Sequence, residues 1–330
     1  MEITSFGPDD AADLQAWAAL TNAVAAVDAP WEHPVTAAIG AARFRHGWDG
    51  EPSTPYLARV DGTVVGGGAV SVSDYDNLDA AWLGVAVHPD HRRSGHGSEI
   101  LEAMVGAAHD LGRSSLGADA WESPAAAAFA ARHGFVAKQS NINRRQLLAD
   151  IDWPELDSRY DAALPYAGEY ALERWDVPTP DDVLPALAEM ASAINDAPLD
   201  HLDYEDEVFT DARMRAYEAA SAGRNERMYR VVARHVPSGE LAGQTVVAVE
   251  ADHPERGDQH DTSVTRAHRG HRLGLLLKAD MMRWLRDAEP QLATIDTWNA
   301  ESNDHMIGVN EVLGYRVMGR EIVYQRSAAG

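Results

Sequence analysis

Apolar residues fall along this chain in two rhythms, one of period two and one of period three to four, and the rhythms alternate in a fixed order. Ile3 to Phe6 reads as a short strand, and Pro8-Asp9-Asp10 opens an amphipathic helix over Ala11 to Asn22 with acids in its first turn. A second series starts the same way. Tyr170 to Trp175 reads as a strand, Pro180-Asp181-Asp182 follows, and Val183 to Asn195 is helical. Polar stretches at 31–53 and 197–226 come next, with Trp31, Trp48, Tyr204 and Phe209 set among acids. Hairpins then form over Tyr56–Val60 and Thr63–Val72 around Asp61-Gly62, and over Tyr229–Ala233 and Leu241–Val249 around Pro237-Ser238-Gly239. Strands at Ala81–Val87 and His260–Val264 lead into loops rich in Arg and Gly. Each loop opens a helix. Ile100, Leu101, Met104, Val105 and Ala108 share one helix face, and Leu273, Leu277, Met281 and Trp284 share the other. The last strands lie near Leu116–Trp121, Ile142–Leu147, Ile295–Trp298 and Glu321–Tyr324.

The two series are copies. His91-Arg92-Arg93-Ser94-Gly95-His96-Gly97 returns as His268-Arg269-Gly270-His271-Arg272-Leu273-Gly274 at a constant offset of 177 positions. The offset also relates Gly62 to Gly239, Val87 to Val264, and Asp119-Ala120-Trp121 to Asp296-Thr297-Trp298. Gly134-Phe135 then matches Gly314-Tyr315 at an offset of 180, so the second copy carries an insertion after its tryptophan. A duplicated domain follows. The division expected along the chain is 1–150, a joint over 151–168 where Pro154, Pro165 and Gly168 break the rhythm, and 169–330. Each domain is expected to be a mixed α/β (α+β) fold, a mostly antiparallel sheet flanked by helices, and not a doubly wound parallel one.

The repeated loop has a physical reading. Between a strand end and a helix start, outward-facing amides and the positive end of the helix make an anion site. Gly95 and Gly97 permit positive φ and a close approach of the backbone to phosphates. Arg92 and Arg93 place positive charge there in a chain whose net charge is -24.

The run Val87-His88-Pro89-Asp90-His91-Arg92-Arg93-Ser94-Gly95-His96-Gly97 resembles the acyl-CoA loop of the GNAT acetyltransferases, Val-x-Pro-x-x-Arg-x-x-Gly-x-Gly. The second copy keeps Val264, Arg269 and Gly274 but has Arg272 at the first glycine. Arg272 can still donate its backbone N–H if its φ is negative, and its side chain either folds over a pyrophosphate or blocks it. The resemblance implies an acetyl-CoA-dependent N-acetyltransferase with two tandem GNAT domains. It implies that acetyl-CoA (coenzyme A) is held by Arg92, Arg93, Ser94, Gly95, His96, Gly97 and Ser98, and by Arg269, Gly270, His271, Arg272, Leu273 and Gly274. A backbone N–H within Val85 to Val87, or within Thr262 to Val264, would serve the oxyanion, and Asn303 would sit near the pantetheine arm. The family's usual thiolate acid is a tyrosine where this chain has Ala130 and Asn310. For the base, His260 and Asp261 lie on the strand before the second loop. Strand alternation lets only one of them face the cleft.

These features place the chemistry in the C-terminal domain, with His260, Asp261 and Asn310 as its candidate catalytic residues. Two alternatives stand beside this: catalysis in the N-terminal domain, where the loop is complete, or a non-catalytic acyl-CoA-binding sensor or scaffold. The acceptor expected is a small-molecule amine, which an acidic protein would attract if the amine is cationic. Composition narrows the rest. The chain has no cysteine, so thiolate sites are excluded. Its acidity argues against nucleic acid as partner. No run of apolar residues reaches spanning length, and the first residues lack a secretory pattern, so no membrane and a cytoplasmic location are expected, with the protein a monomer or homodimer. No metal is expected. His88, His91 and His96, or His268 and His271, lack carboxylates at ligand spacing.

Overall fold

A computed structural model gives the structure of the chain, and the described residues run from 1 to 327. They form two compact units. The first comprises Met1–Asn141, the short segment Leu199–Glu205 and the C-terminal segment from Gly319. The second comprises Ile142–Pro198 and Asp206–Met318.

The first unit holds β1 (Glu2–Ser5), α1 (Ala11–Asp28), α2 (Ala37–His46), β2 (Thr54–Val60), β3 (Thr63–Ser71), β4 (Ala80–Val87), α3 (His96–Asp110), β5 (Ser115–Trp121), α4 (Pro124–Arg132) and the start of β6 (Val136–Leu147). Asp61 and Gly62 both take positive φ, +49° and +81°, which is the turn that a two-residue hairpin loop needs. The second unit holds the rest of β6, α5 (Trp153–Ala163), β7 (Tyr170–Trp175), α6 (Leu184–Ala191), α7 (Asp211–Gly223), β8 (Glu226–His235), β9 (Leu241–Glu250), β10 (Arg256–Val264), α8 (Leu273–Ala288), β11 (Thr294–Ala300), α9 (Asp304–Val312) and the start of β12 (Arg316–Arg326). The second unit orders its strands β6-β11-β10-β9-β8-β7, and the first orders its own β1-β2-β3-β4-β5-β12. β1–β2, β2–β3, β3–β4, β5–β12, β7–β8, β8–β9 and β9–β10 pair antiparallel, and β4–β5 and β10–β11 pair parallel. This is the mixed, mostly antiparallel architecture expected for each copy.

The units depart from the division drawn along the chain, because each takes a last strand from the other copy. In the first unit β12 pairs with β5 from Glu321–Trp121 to Arg326–Leu116. Tyr324 joins the core of Val65, Leu83, Ile100, Met104 and Phe135, with Ile322 packed against it. In the second unit the end of β6 docks by polar contacts. The Arg145 guanidinium donates to both carboxylate oxygens of Asp296 at 2.6 and 2.7 Å, and the Gln146 side chain donates to the Leu313 carbonyl at 2.6 Å. Residues 151–168 are not a plain joint. They form α5, with Asp152 accepting from the Glu155 N–H at 3.1 Å, and a 3-10 turn over Leu164–Ala167; Leu156, Ala163 and Ala167 are buried in the second core.

Candidate active site

In each unit two parallel strands meet briefly and then part. β4 pairs with β5 over Ala80–Trp82, and β10 with β11 over Arg256–Asp258. On its other edge β5 pairs with β12, from Leu116 to Trp121. The ends of β4 and β10, which carry Val85, Val87, Thr262 and Val264, lie past the last residues paired with β5 and β11.

The loops that follow share one backbone form. Arg93 and Gly95 have φ of +66° and +92°, and the equivalent Gly270 and Arg272 have +88° and +56°. Each loop thus makes two left-handed turns, and each uses one glycine and one arginine to do so. The condition placed on Arg272, a negative φ, is not met: its backbone copies that of Gly95 at a cost of roughly 1–2 kcal/mol for a residue with a Cβ. Its guanidinium stacks 3.9 Å from the Tyr166 ring centroid. Gly95 and Arg272 are the N-caps of α3 and α8, and no side chain caps either helix. Thr36, Ser123, Asp152, Thr210 and Asn303 do cap theirs. Among the described helices only α3 and α8 begin on a left-handed cap, which turns their first amides outward. A Cβ built at Gly95 or Gly270 would meet nothing within 4 Å. These residues fit a pyrophosphate.

Two arginines assigned to the ligand are spent on the loop itself. Arg92 Nε donates to the Val87 carbonyl at 3.2 Å, and its two amino groups donate to Asp28 at 2.9 and 2.7 Å. Arg269 Nε donates to the Val264 carbonyl at 3.1 Å, and Arg269 and Arg266 share Asp196 at 2.7 and 2.5 Å. Each fork pins the loop to the strand it leaves. Asp28 and Asp196 were invisible in the repeat because they are not at equivalent positions. Arg93 and Ser94 are exposed. His96 Nδ1 is buried without a partner. The Ser98 hydroxyl lies 3.0 Å from His133 Nε2. Gly97 faces Phe129 at 3.3 Å, so its lack of Cβ serves packing. Leu273 and Gly274 are buried, and Leu273 belongs to the core. His271 Nδ1 lies 2.9 Å from the Tyr166 carbonyl.

On β10 the register with β9 slips between Gln259 and Thr262, which face Val247 and Thr245. Both His260 and Asp261 thus stand opposite Val246. The bulge leaves the Val246 carbonyl to the Gln259 side chain, which donates to it at 2.6 Å. Alternation is broken here, so the rule that only one of the pair can turn to the cleft does not apply. His260 Nδ1 lies 2.5 Å from the Tyr217 hydroxyl of α7. Burial lowers His260 to about 4, and burial also raises Tyr217 and Asp261. Tyr217 escaped the sequence reading because its segment, 197–226, has no counterpart motif.

Asn310 is in a different group. It is fully buried, accepts from Lys278 Nζ at 2.7 Å and donates to Asn299 at 2.7 Å. Both ends of the Asn310 amide, a candidate catalytic group, are thus engaged, and they tie α9 to α8 and β11. Burial lowers Lys278 to about 7, and its Nζ lies 4.7 Å from the Tyr315 ring centroid. Asn303, foreseen at the pantetheine arm, caps α9 by accepting from the Met306 N–H at 3.2 Å. In the first unit β12 brings Glu321 to Asp119, and burial, then the Asp119 charge, raises Glu321 to about 8. The equivalent of Asp119 in the second unit, Asp296, is neutralised by Arg145.

Residues 17–135 match the Acetyltransferase (GNAT) family. A tandem GNAT protein from the clavulanic acid biosynthesis pathway superimposes with a TM-score of 0.80 at 26% identity, over 100% of this chain and 99% of that one. A GCN5-related N-acetyltransferase from Sphaerobacter thermophilus shares the fold with a TM-score of 0.68 at 16% identity, over 100% and 96%. A GCN5-related glucosamine N-acetyltransferase region of a fungal multi-domain beta-N-acetylglucosaminidase has a TM-score of 0.71 at 15% identity, over 98% of this chain and 38% of that one. No curated protein matches the sequence. Strand ends, loop and helix cap take the same form in the two units. Residues 17–135 carry the pattern of that family, and the whole chain is similar in fold to a tandem GNAT protein.

Proposed function

We propose that this protein transfers an acetyl group from acetyl-CoA to a small amine, and that the C-terminal unit does the chemistry. The observation that carries this reading is the bulge on β10, which places His260, tied to Tyr217, where β10 and β11 have parted. Acetyl-CoA, when bound, supplies an activated thioester. The outward amides at the start of α8 and the left-handed pair Gly270 and Arg272 would hold its pyrophosphate. Backbone N–H groups of Thr262 to Val264 would face the developing oxyanion. With Nδ1 donating to Tyr217, Nε2 of His260 is the atom that accepts the amine proton. His260 is neutral at pH 7 because burial holds it near 4, so it is ready as an acceptor without prior deprotonation. Asp261 stands behind it on the same bulge.

A second reading is favoured by one feature of the N-terminal unit. Glu321, lifted to about 8, sits beside Asp119, and Trp31 packs edge-on against Trp121 at 5.1 Å. A carboxyl group with a shared proton among aromatic rings suits an amine acceptor. Thiol release from acetyl-CoA across an amine panel, measured on His260→Gln and Glu321→Gln, separates the two. The first reading expects His260→Gln to lose roughly 10²–10⁴ in kcat while Glu321→Gln keeps turnover. The reverse pattern moves the chemistry to the N-terminal unit.

A further inference from the structure

We infer that the second unit carries a binding site for a divalent transition metal, made by His235, Glu240 and His268, with zinc the best-suited ion. One ligand atom from each residue lies within 4.8 Å of the others. His268 Nε2 is 3.6 Å from Glu240 Oε2, and the His235 and His268 rings are 4.9 Å apart. Two imidazoles and one carboxylate are the donor set of an open zinc site, with a position left for water or a fourth residue. Glu169 is within reach for that position, its Oε2 being 3.8 Å from His235 Nε2.

The hydrogen bonds prepare the nitrogens for a metal. The Ser238 hydroxyl donates to Glu240 Oε2 at 2.8 Å and lies 2.8 Å from His235 Nδ1. A hydroxyl whose proton goes to Glu240 must accept from His235, so Nδ1 carries the proton and Nε2 has the lone pair. The Tyr170 hydroxyl stands 3.0 Å from His268 Nδ1, where it can accept the Nδ1 proton and leave Nε2 to the metal. Metal-bound histidines are held in this way, by a partner on the nitrogen that does not ligate. The backbone is also set. The His235 N–H donates to the Glu240 carbonyl at 2.9 Å, the Gly239 N–H to the His235 carbonyl at 2.8 Å, and the His268 N–H to the Thr265 carbonyl at 2.9 Å. Gly239, with φ of +78°, makes the turn that brings Glu240 back beside His235. The loop histidines lack acids at ligand spacing, which is why no metal is expected from the sequence. The hairpin of β8 and β9 supplies both missing ligands from far along the chain. His268 directly precedes Arg269, so an ion here would tie that hairpin to the start of the β10–α8 loop.

The test is calorimetric titration of Zn²⁺ into the full chain after treatment with a chelator. The result expected is one zinc per chain at this site, not displaced by Mg²⁺, which prefers oxygen ligands. His235→Ala and Glu240→Gln should each weaken it at least tenfold, and Ser238→Ala by roughly 10–100-fold, through the lost support of His235. All three positions lie at the hairpin end, and circular dichroism with a metal-free melting curve checks that each variant is folded. No zinc binding at micromolar concentrations overturns the site. So does zinc binding that persists unchanged in the His235→Ala/Glu240→Gln double variant.

Discussion

Lys278 and His260 are basic groups of the second unit depressed by burial, and each ties stability to pH in a definite direction. Lys278 titrates near 7 in the folded chain against 10.5 in the unfolded one. Between those values the unfolded chain holds a proton that the native chain has released, so this group makes stability rise with pH from about 7 to about 10. Urea midpoints measured over that range should climb in the wild type, and Lys278→Met should flatten the climb. His260 acts in the same sense over a lower window, from about 4 up to 6.5. If it is the base, the acidic limb of kcat/KM should be governed by a group near 4; a limb near 6.5 that survives in His260→Gln would assign it to another residue. The candidate pair on β10 was legible in the sequence because it precedes a recognisable loop. The hydrogen bonds that decide its chemistry were not, since Tyr217 lies in a polar stretch where the copies share no sequence motif. For Asn310 the place in the pattern was clear, but a position five residues before an aromatic does not reveal that its amide is buried between Lys278 and Asn299.

At the scale of elements, the two loops teach how a motif can change while its backbone does not. Read as letters, Arg272 is a lost glycine. Read as geometry, the loop needs two left-handed residues, and the copies place their glycine at different ones, Gly95 and Gly270. Gly95→Ala should then cost about 1–2 kcal/mol in chemical denaturation, with no steric contribution because the space beside Gly95 is open. An unchanged midpoint would show that the loop does not hold this conformation. The forks from Arg92 to Asp28 and from Arg269 to Asp196 are half exposed and contribute little to global stability. Their work is local, holding the amides that the ligand would meet.

For the whole molecule, the sequence repeat divides the chain cleanly into halves, yet the compact units do not follow that cut. Strand patterning located β6 and β12 but could not say which sheet each would join, because both copies offer the same edge. The side chains decide it. Tyr324 and Ile322 of β12 meet the first core, and Arg145 of β6 meets Asp296 of the second unit. A fragment of residues 1–150 alone should therefore melt well below the full chain, lacking Tyr324 and the strand that covers β5. Adding a peptide of residues 316–330 should raise its melting temperature. A fragment as stable as the full chain, by calorimetry, would contradict this.

The account rests on two main-chain anion sites, one in each unit. Titration calorimetry with coenzyme A on the wild type, Gly97→Trp and Gly274→Trp tests it most directly. Two binding events are predicted for the wild type, with one lost in each variant. No heat for the wild type, or binding undiminished when both glycines are replaced, would contradict it.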